Sequence, residues 1–158
     1  MLVDIGKVFV PREILNKRGS LSPAERSRVA AHTTLGYRLL RSTASAEMLA
    51  HHISWQHHER QDGKGYPRRL TGTNRVLQSS DDRFRPDRML QIAEIAAIAD
   101  FYVAITSDRP QRPAMPPDRV PLVFQEAIGT ALNREIATKF LAVLPWYPTG
   151  TEVIITRG

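Results

Sequence analysis

The chain has 158 residues, of which 42% are hydrophobic and 24% charged; 22 Lys and Arg against 16 Asp and Glu leave a net charge of +6, and there is no cysteine. Those proportions exclude a disordered or fibrous chain, and the missing cysteine excludes a disulfide scaffold, a thiolate metal site and a cysteine nucleophile. One folded domain is expected, its basic balance suits anionic partners without choosing among them, and any metal has to be held by His, Asp or Glu.

Met1-Leu2-Val3-Asp4 has neither the basic region nor the apolar stretch of a signal peptide. The longest apolar stretch, Ile92 to Thr106, is interrupted by Glu94 and Asp100 and is shorter than the ~20 residues a spanning helix needs. No membrane segment and a cytoplasmic location are therefore expected. The first predicted helix begins at Ser22-Pro23-Ala24-Glu25, where Ser, Pro and Glu stand at the N-cap, first and third helical positions of a capping box. Val29, His32, Leu35, Leu39 and Leu40 continue it at helical spacing to about Arg41. A second helix is expected from about Ala46 to Glu59. Residues 60 to 88 show no periodicity and contain Gly63, Gly65, Pro67 and Gly72, which predicts a long loop, and a loop of that length is a site candidate. From Met89 to about Thr106 apolar residues are dense enough to predict a helix buried nearly all round, with Asp100 in its middle. Beyond the prolines at 110, 113, 116 and 117, two further helices are predicted. Asp118 to about Gly129 would bury Leu122, Phe124, Ala127 and Ile128, and Asn133 to Leu144 would bury Ile136, Phe140, Val143 and Leu144. Thr151 to Thr156 reads as a strand. The fold expected is mainly α, with one short C-terminal strand or hairpin.

Four of the five histidines fall between positions 51 and 58, and the fifth, His32, lies on the preceding apolar stripe. Neutral imidazole is the commonest metal ligand, although a His-rich polar face is the simpler explanation of an isolated pair such as His57-His58. Asp100 shifts that balance, because a carboxylate inside an apolar helix is costly unless paired or bound to a cation. With Asp4, also set among apolar residues, the inventory is carboxylate and imidazole, a set suited to Fe, Mn, Zn or Ni and to metal-assisted hydrolysis of a phosphate ester.

The segment His57-His58-Glu59-Arg60-Gln61-Asp62-Gly63-Lys64-Gly65-Tyr66-Pro67 reads HHExxDGxGYP and resembles the hallmark of the HD-GYP domains of bacterial cyclic di-GMP phosphodiesterases. Asp4-Ile5-Gly6-Lys7 is similar to the second half of that family's HDIGK motif, and His32-Thr33-Thr34-Leu35-Gly36 to its HPxxG motif. Ile98-Ala99-Asp100-Phe101-Tyr102, Thr106-Ser107-Asp108-Arg109-Pro110-Gln111-Arg112 and Pro145-Trp146-Tyr147-Pro148-Thr149-Gly150-Thr151 resemble three further segments in the same order. The resemblance implies a helical HD-type bundle with a long GYP loop, spanning residues 1–158 as a single domain. It also implies divalent metal, iron or manganese first and zinc or nickel after them, and hydrolysis of cyclic di-GMP. By the same resemblance Asp4, His32, His57, His58 and Asp100 are metal ligands, Asp4 and Lys7 catalytic, and Lys7, Tyr66, Arg109 and Arg112 substrate-binding. His51 and His52 match no ligand position.

Three departures qualify that picture. Val3 stands where the family has the histidine of its HD pair, Val103 where it has Asp, and Gln111 where it has Tyr. The family's motif set also starts upstream of Met1, so the chain is expected to lack the first helices. One metal site is nominally intact, a second depleted, and activity weak or absent. The alternative is a non-catalytic module that binds cyclic di-GMP or a diguanylate cyclase (GGDEF) domain. A dimer is a further expectation, and a nucleic-acid polymer is not an expected partner.

Overall fold

A computed structural model describes residues 2–43, 47–77, 85–110 and 112–145. Among the described residues the chain is helical, with a 3-10 turn over Ile5–Phe9, helices α1 (Arg12–Leu15), α2 (Pro23–Ala30), α3 (His32–Arg41), α4 (Met48–Gln56) and α5 (Gln91–Thr106), a 3-10 turn over Pro117–Arg119, and helices α6 (Val120–Ala127) and α7 (Arg134–Val143). No strand occurs among them, only isolated bridges such as Asp62 with Thr71 and Thr71 with Arg88. The predicted strand over 151–156, and the 146–151 part of the segment beginning at Pro145, lie outside the described residues.

The capping box at the start of α2 is formed as its sequence predicts. Ser22 Oγ accepts from the Glu25 amide at 3.2 Å, and Glu25 Oε2 accepts from the Ser22 amide at 2.7 Å. The helix predicted to run unbroken to Arg41 is instead divided at Ala31. The Val29 carbonyl accepts from His32 Nδ1 at 2.6 Å and the Ala30 carbonyl from Thr33 Oγ1 at 3.0 Å. Side chains thus take the acceptors that a continuous helical ladder would use, and His32 opens a new helix. Helix α4 ends at Gln56, short of the predicted Glu59, for a related reason: His57 Nδ1 turns back to the carbonyls of Ser54 (2.9 Å) and Ile53 (3.2 Å).

Helices α5, α6 and α7 enclose the main apolar core. Phe124, fully buried, meets Phe101 edge-on at 5.0 Å between ring centroids and stacks with Phe140 at 5.9 Å; Ile98, Ile105, Val120, Leu132 and Ala137 complete the buried cluster. Leu122, predicted to be buried, is 53% exposed. It sits two residues from both Val120 and Phe124, on the opposite side of a 3.6-residue turn. Val143, also predicted to be buried, is 79% exposed in the last turn of α7. Helix α5 is not buried all round either. Ile92, Ile95 and Val103, spaced to share one face, are exposed, while Ala93, Ala96, Ala97, Ile98 and Ile105 face the interior.

The predicted 60–88 loop is held by buried polar groups. Glu94 on α5 accepts from Gln61 Nε2 at 2.7 Å and from Asn133 Nδ2 at 2.9 Å. Gln61 Oε1 accepts from the Asn74 amide at 2.9 Å, and Asn133 Oδ1 caps α7 through the Ile136 amide at 3.2 Å. The loop is thereby tied to α5 and to the start of α7, leaving its Gly63–Arg69 portion over the end of α4.

Candidate metal centre

Two glycines let the N-terminal 3-10 turn lie directly on α3. A Cβ on Gly6 would collide with the His32 carbonyl and come within 2.6 Å of the Gly36 amide nitrogen, and a Cβ on Gly36 would come within 2.5 Å of Ser54 Oγ. Ser54 Oγ in turn donates to the Val3 carbonyl at 2.9 Å. The turn, α3 and α4 therefore meet at backbone distance, and Asp4, the residue before the turn, arrives beside the first residue of α3 and the C-cap of α4.

There the carboxylate and three imidazoles converge. His32 Nε2 lies 3.2 Å from Asp4 Oδ1 and 3.4 Å from His57 Nε2, and His57 Nε2 lies 3.6 Å from the same Asp4 oxygen. One ligand atom from each of Asp4, His32, His57 and His58 can be chosen so that all lie within 4.8 Å of one another. His32 and His57 are buried, Asp4 and His58 partly so.

The hydrogen bonds around the rings decide what faces inward. Nδ1 of His32 faces the Val29 carbonyl and Nδ1 of His57 the Ser54 carbonyl, so each Nδ1 carries hydrogen and each Nε2 presents its lone pair to the centre. Asp4 Oδ1 is buried there with no hydrogen-bond partner. Three acceptors at such separations repel unless a proton or a cation lies between them, and the donor set of carboxylate oxygen and imidazole nitrogen fits a borderline divalent cation. Electrostatics point the same way. Burial alone would raise the Asp4 carboxyl, but the close approach of His32 and His57 and the Lys7 ammonium, which donates to Oδ2 at 2.6 Å, hold it far below the ordinary carboxylate range. Burial, then the neighbouring His57 and His32, pushes His58 down to about 2, which keeps it neutral and able to ligate.

The GYP loop closes one side of this centre. Tyr66 stacks on His58 at 4.9 Å, and its amide donates to the His58 carbonyl at 3.2 Å. Gly65 permits that approach, since a Cβ there would stand 2.5 Å from the Arg60 nitrogen and 2.6 Å from the His58 carbonyl oxygen. Burial, then the charges of Asp100 and Asp4, keeps the Tyr66 hydroxyl protonated. Beside it, Gly63, Lys64, Gly65, Tyr66, Pro67 and Arg69 line an open cavity of about 500 Å3.

Not every candidate residue joins the group. Asp100, half-buried on α5, is outside the four-ligand set, although its charge reaches Tyr66. Arg109 and Arg112 form a turn after α5, bonded backbone to backbone at 2.9 and 3.0 Å, and Arg112 donates to the Ala104 carbonyl at 2.6 Å. Val3 is buried, so its side chain belongs to the packing around the site. His51 and His52 lie against Tyr37 instead. The sequence pattern gave no separate role to Glu59, whose buried carboxylate accepts from the amides of Arg68 (2.6 Å) and Leu70 (2.9 Å) and so folds the loop back over α4. Its place directly after two ligand histidines was the only sequence signal for it.

A helical fold that gathers one carboxylate and three imidazoles around a point has the ligand set of a divalent-metal centre, and comparison with known proteins places it. The sequence model of the HD domain family matches residues 1–79. The chain belongs to that family, whose members are metal-dependent, and its HHExxDGxGYP segment is of the HD-GYP type. It is similar to a 3'3'-cGAMP-specific phosphodiesterase of Vibrio cholerae, 33% identical over 85% of this chain and 26% of the relative. It is also similar to a cyclic di-GMP phosphodiesterase of Thermotoga maritima, 34% identical over 89% of this chain and 34% of the relative. A cyclic di-GMP phosphodiesterase of Pseudomonas aeruginosa is 31% identical over the whole chain and 34% of its own length. The chain thus spans between a quarter and about a third of these relatives. Among the described residues no helix is long and apolar enough to cross a membrane.

Proposed function

We propose that residues 1–158 form an HD-GYP-type phosphohydrolase domain that acts on the phosphodiester of a cyclic dinucleotide, cyclic di-GMP foremost. A single divalent cation, iron or manganese, would be held by Asp4, His32, His57 and His58. The observation that carries this reading is the convergence of two Nε2 lone pairs and the unpartnered Asp4 Oδ1 within 3.6 Å. A cation bound there supplies Lewis-acid polarisation of a phosphoryl oxygen and acidifies water.

The chain's own groups supply the rest. Lys7 holds the Asp4 carboxylate through Oδ2 and leaves Oδ1 turned to the imidazoles. Its charge also lies where a phosphoryl group approaching the centre would need neutralising. Tyr66, kept protonated, is a hydrogen-bond donor beside His58. Arg109 and Arg112 are proposed to hold the more distant phosphate. Asp100, outside the four-ligand group, is the proposed remnant of a second metal shell that is short of ligands because Val3 offers none. Turnover is accordingly slow. The exposed GYP loop is the surface proposed for a GGDEF-domain partner, and the exposed Val8 and Phe9 for a second copy of the chain.

The test is hydrolysis of cyclic di-GMP by the manganese-loaded chain. Slow, chelator-sensitive cleavage is expected, reduced at least 100-fold by His57→Ala and raised by Val3→His. No cleavage above the His57→Ala background would overturn the proposal.

A further inference from the structure

On the flank of α4 away from its metal-binding end, a cavity of about 200 Å3 opens between that helix and the segment before α5. Its polar lining is His52, Gln56, Arg68, Arg85 and Arg88, its apolar lining includes Leu49 and Leu90, and no acidic residue contributes. It is smaller than the roughly 300–1,000 Å3 pockets that enclose whole drug-sized ligands.

Several independent features give this cavity the chemistry of an anion site. Arg68 is already fixed: its guanidinium lies 4.7 Å over the Trp55 ring, Nη2 donates to the Pro86 carbonyl at 2.8 Å, and its amide is held by Glu59. A guanidinium immobilised in advance loses little freedom on binding. The Arg88 side chain forms no hydrogen bond or ion pair among the described residues, while its backbone is pinned to the Arg85 carbonyl at 3.1 Å. His52 lines the same cavity, and its Nδ1 is buried with no hydrogen-bond partner. Met48 and Leu49 at the cavity are the first residues of the nine-residue α4, whose N-cap residue Glu47 makes no side-chain cap, so the positive end of the helix faces the same space.

We infer that this cavity is a binding subsite for a phosphate monoester, separate from the metal centre, with Arg68 and Arg88 as its cationic clamp and the His52 ring in its wall. A phosphomonoester is close to a dianion at neutral pH and offers three acceptor oxygens, which matches two guanidiniums and a helix N-terminus. The size limits the enclosed part to a phosphoryl group with little attached to it. The same chemistry is carried by inorganic phosphate and by the terminal phosphate of a nucleotide.

The experiment is a titration of the zinc-loaded full chain with inorganic phosphate and, in parallel, with GMP, followed by NMR of the histidine side-chain nitrogens. Saturable movement of the His52 resonances is expected, with the half-saturating concentration raised at least tenfold in Arg88→Ala. Arg88 is not part of the metal centre, so His57 and His58 resonances report an intact centre in the variant. Tighter saturation by GMP identifies a nucleotide terminus as the ligand, and equal saturation identifies free phosphate. No movement of His52, or movement undiminished in Arg88→Ala, would overturn the inference and leave the metal-centre reading untouched.

Discussion

Gly6→Ala tests whether backbone contact between the N-terminal turn and α3 is what builds the metal centre. The added methyl would collide with the His32 carbonyl and stand 2.6 Å from the Gly36 nitrogen, against 3.4 Å for ordinary contact. Both obstacles are backbone of α3, so the turn has to lift by about 0.8 Å or more. Asp4 leaves with it, and its 3.2 Å and 3.6 Å approaches to His32 and His57 open by a comparable amount. Overpacking of this kind costs about 1–3 kcal/mol, which at 2–4 °C per kcal/mol for a chain of this size is a fall in Tm of about 2–12 °C. Displacing one ligand from its geometry should weaken metal binding about 10–100-fold, the size of effect found when supporting residues around a metal are removed. Calorimetric titration with manganese, together with thermal unfolding of the metal-free chain, measures both. Wild-type metal affinity in Gly6→Ala would refute the reasoning, since the variant's Asp4 would then not depend on the glycine contact.

Two further outcomes follow from the packing and the buried charge. Phe124→Ala should cost about 3–5 kcal/mol in urea unfolding, whereas Leu122→Ala, two residues away on the exposed side, should stay within about 0.5 kcal/mol; equal losses would contradict the assigned core. Burial raises the Glu94 carboxyl above its ordinary value although Gln61 and Asn133 donate to it. The folded state therefore binds that proton more tightly than the unfolded one, and the stability it contributes is present below pH 4.5 and lost as pH rises through the elevated value. Glu94→Gln cannot ionise, so the stability of the wild type relative to this variant should fall from acid to neutral pH, and a pH-independent difference between the two would contradict it.

Much of the site was legible in the sequence because its ligands sit in short motifs whose spacing reflects local geometry. Asp4 and Gly6 share one turn, His32 and Gly36 share one helical turn, and His57-His58 close α4. The histidine pair alone did not distinguish a ligand pair from a polar face. What joined the three motifs was the close approach of Gly6, Gly36 and Ser54, which is a tertiary contact. Asp100 attracted notice as a carboxylate in an apolar helix, yet α5 keeps it beside Tyr66 and outside the four-ligand group. The buried carboxylates that do stabilise the fold, Glu59 and Glu94, read as ordinary loop and helix residues because their partners are distant amides. Helix boundaries at Ala31 and Gln56 were missed for one reason: His32, Thr33 and His57 turn their side chains onto the preceding carbonyls, an alternative to the helical ladder that periodicity does not reveal. Leu122, Val143 and the Ile92, Ile95 and Val103 face of α5 show the limit of hydrophobicity as a guide to burial, since apolar residues also lie on protein surfaces.

The central claim is that Asp4, His32, His57 and His58 hold one divalent cation. Metal content of the purified chain after manganese loading and exhaustive dialysis tests it directly. One ion per chain is predicted, falling to none in His32→Ala and in His57→Ala. Two tightly held ions, or one that survives loss of either histidine, would contradict it.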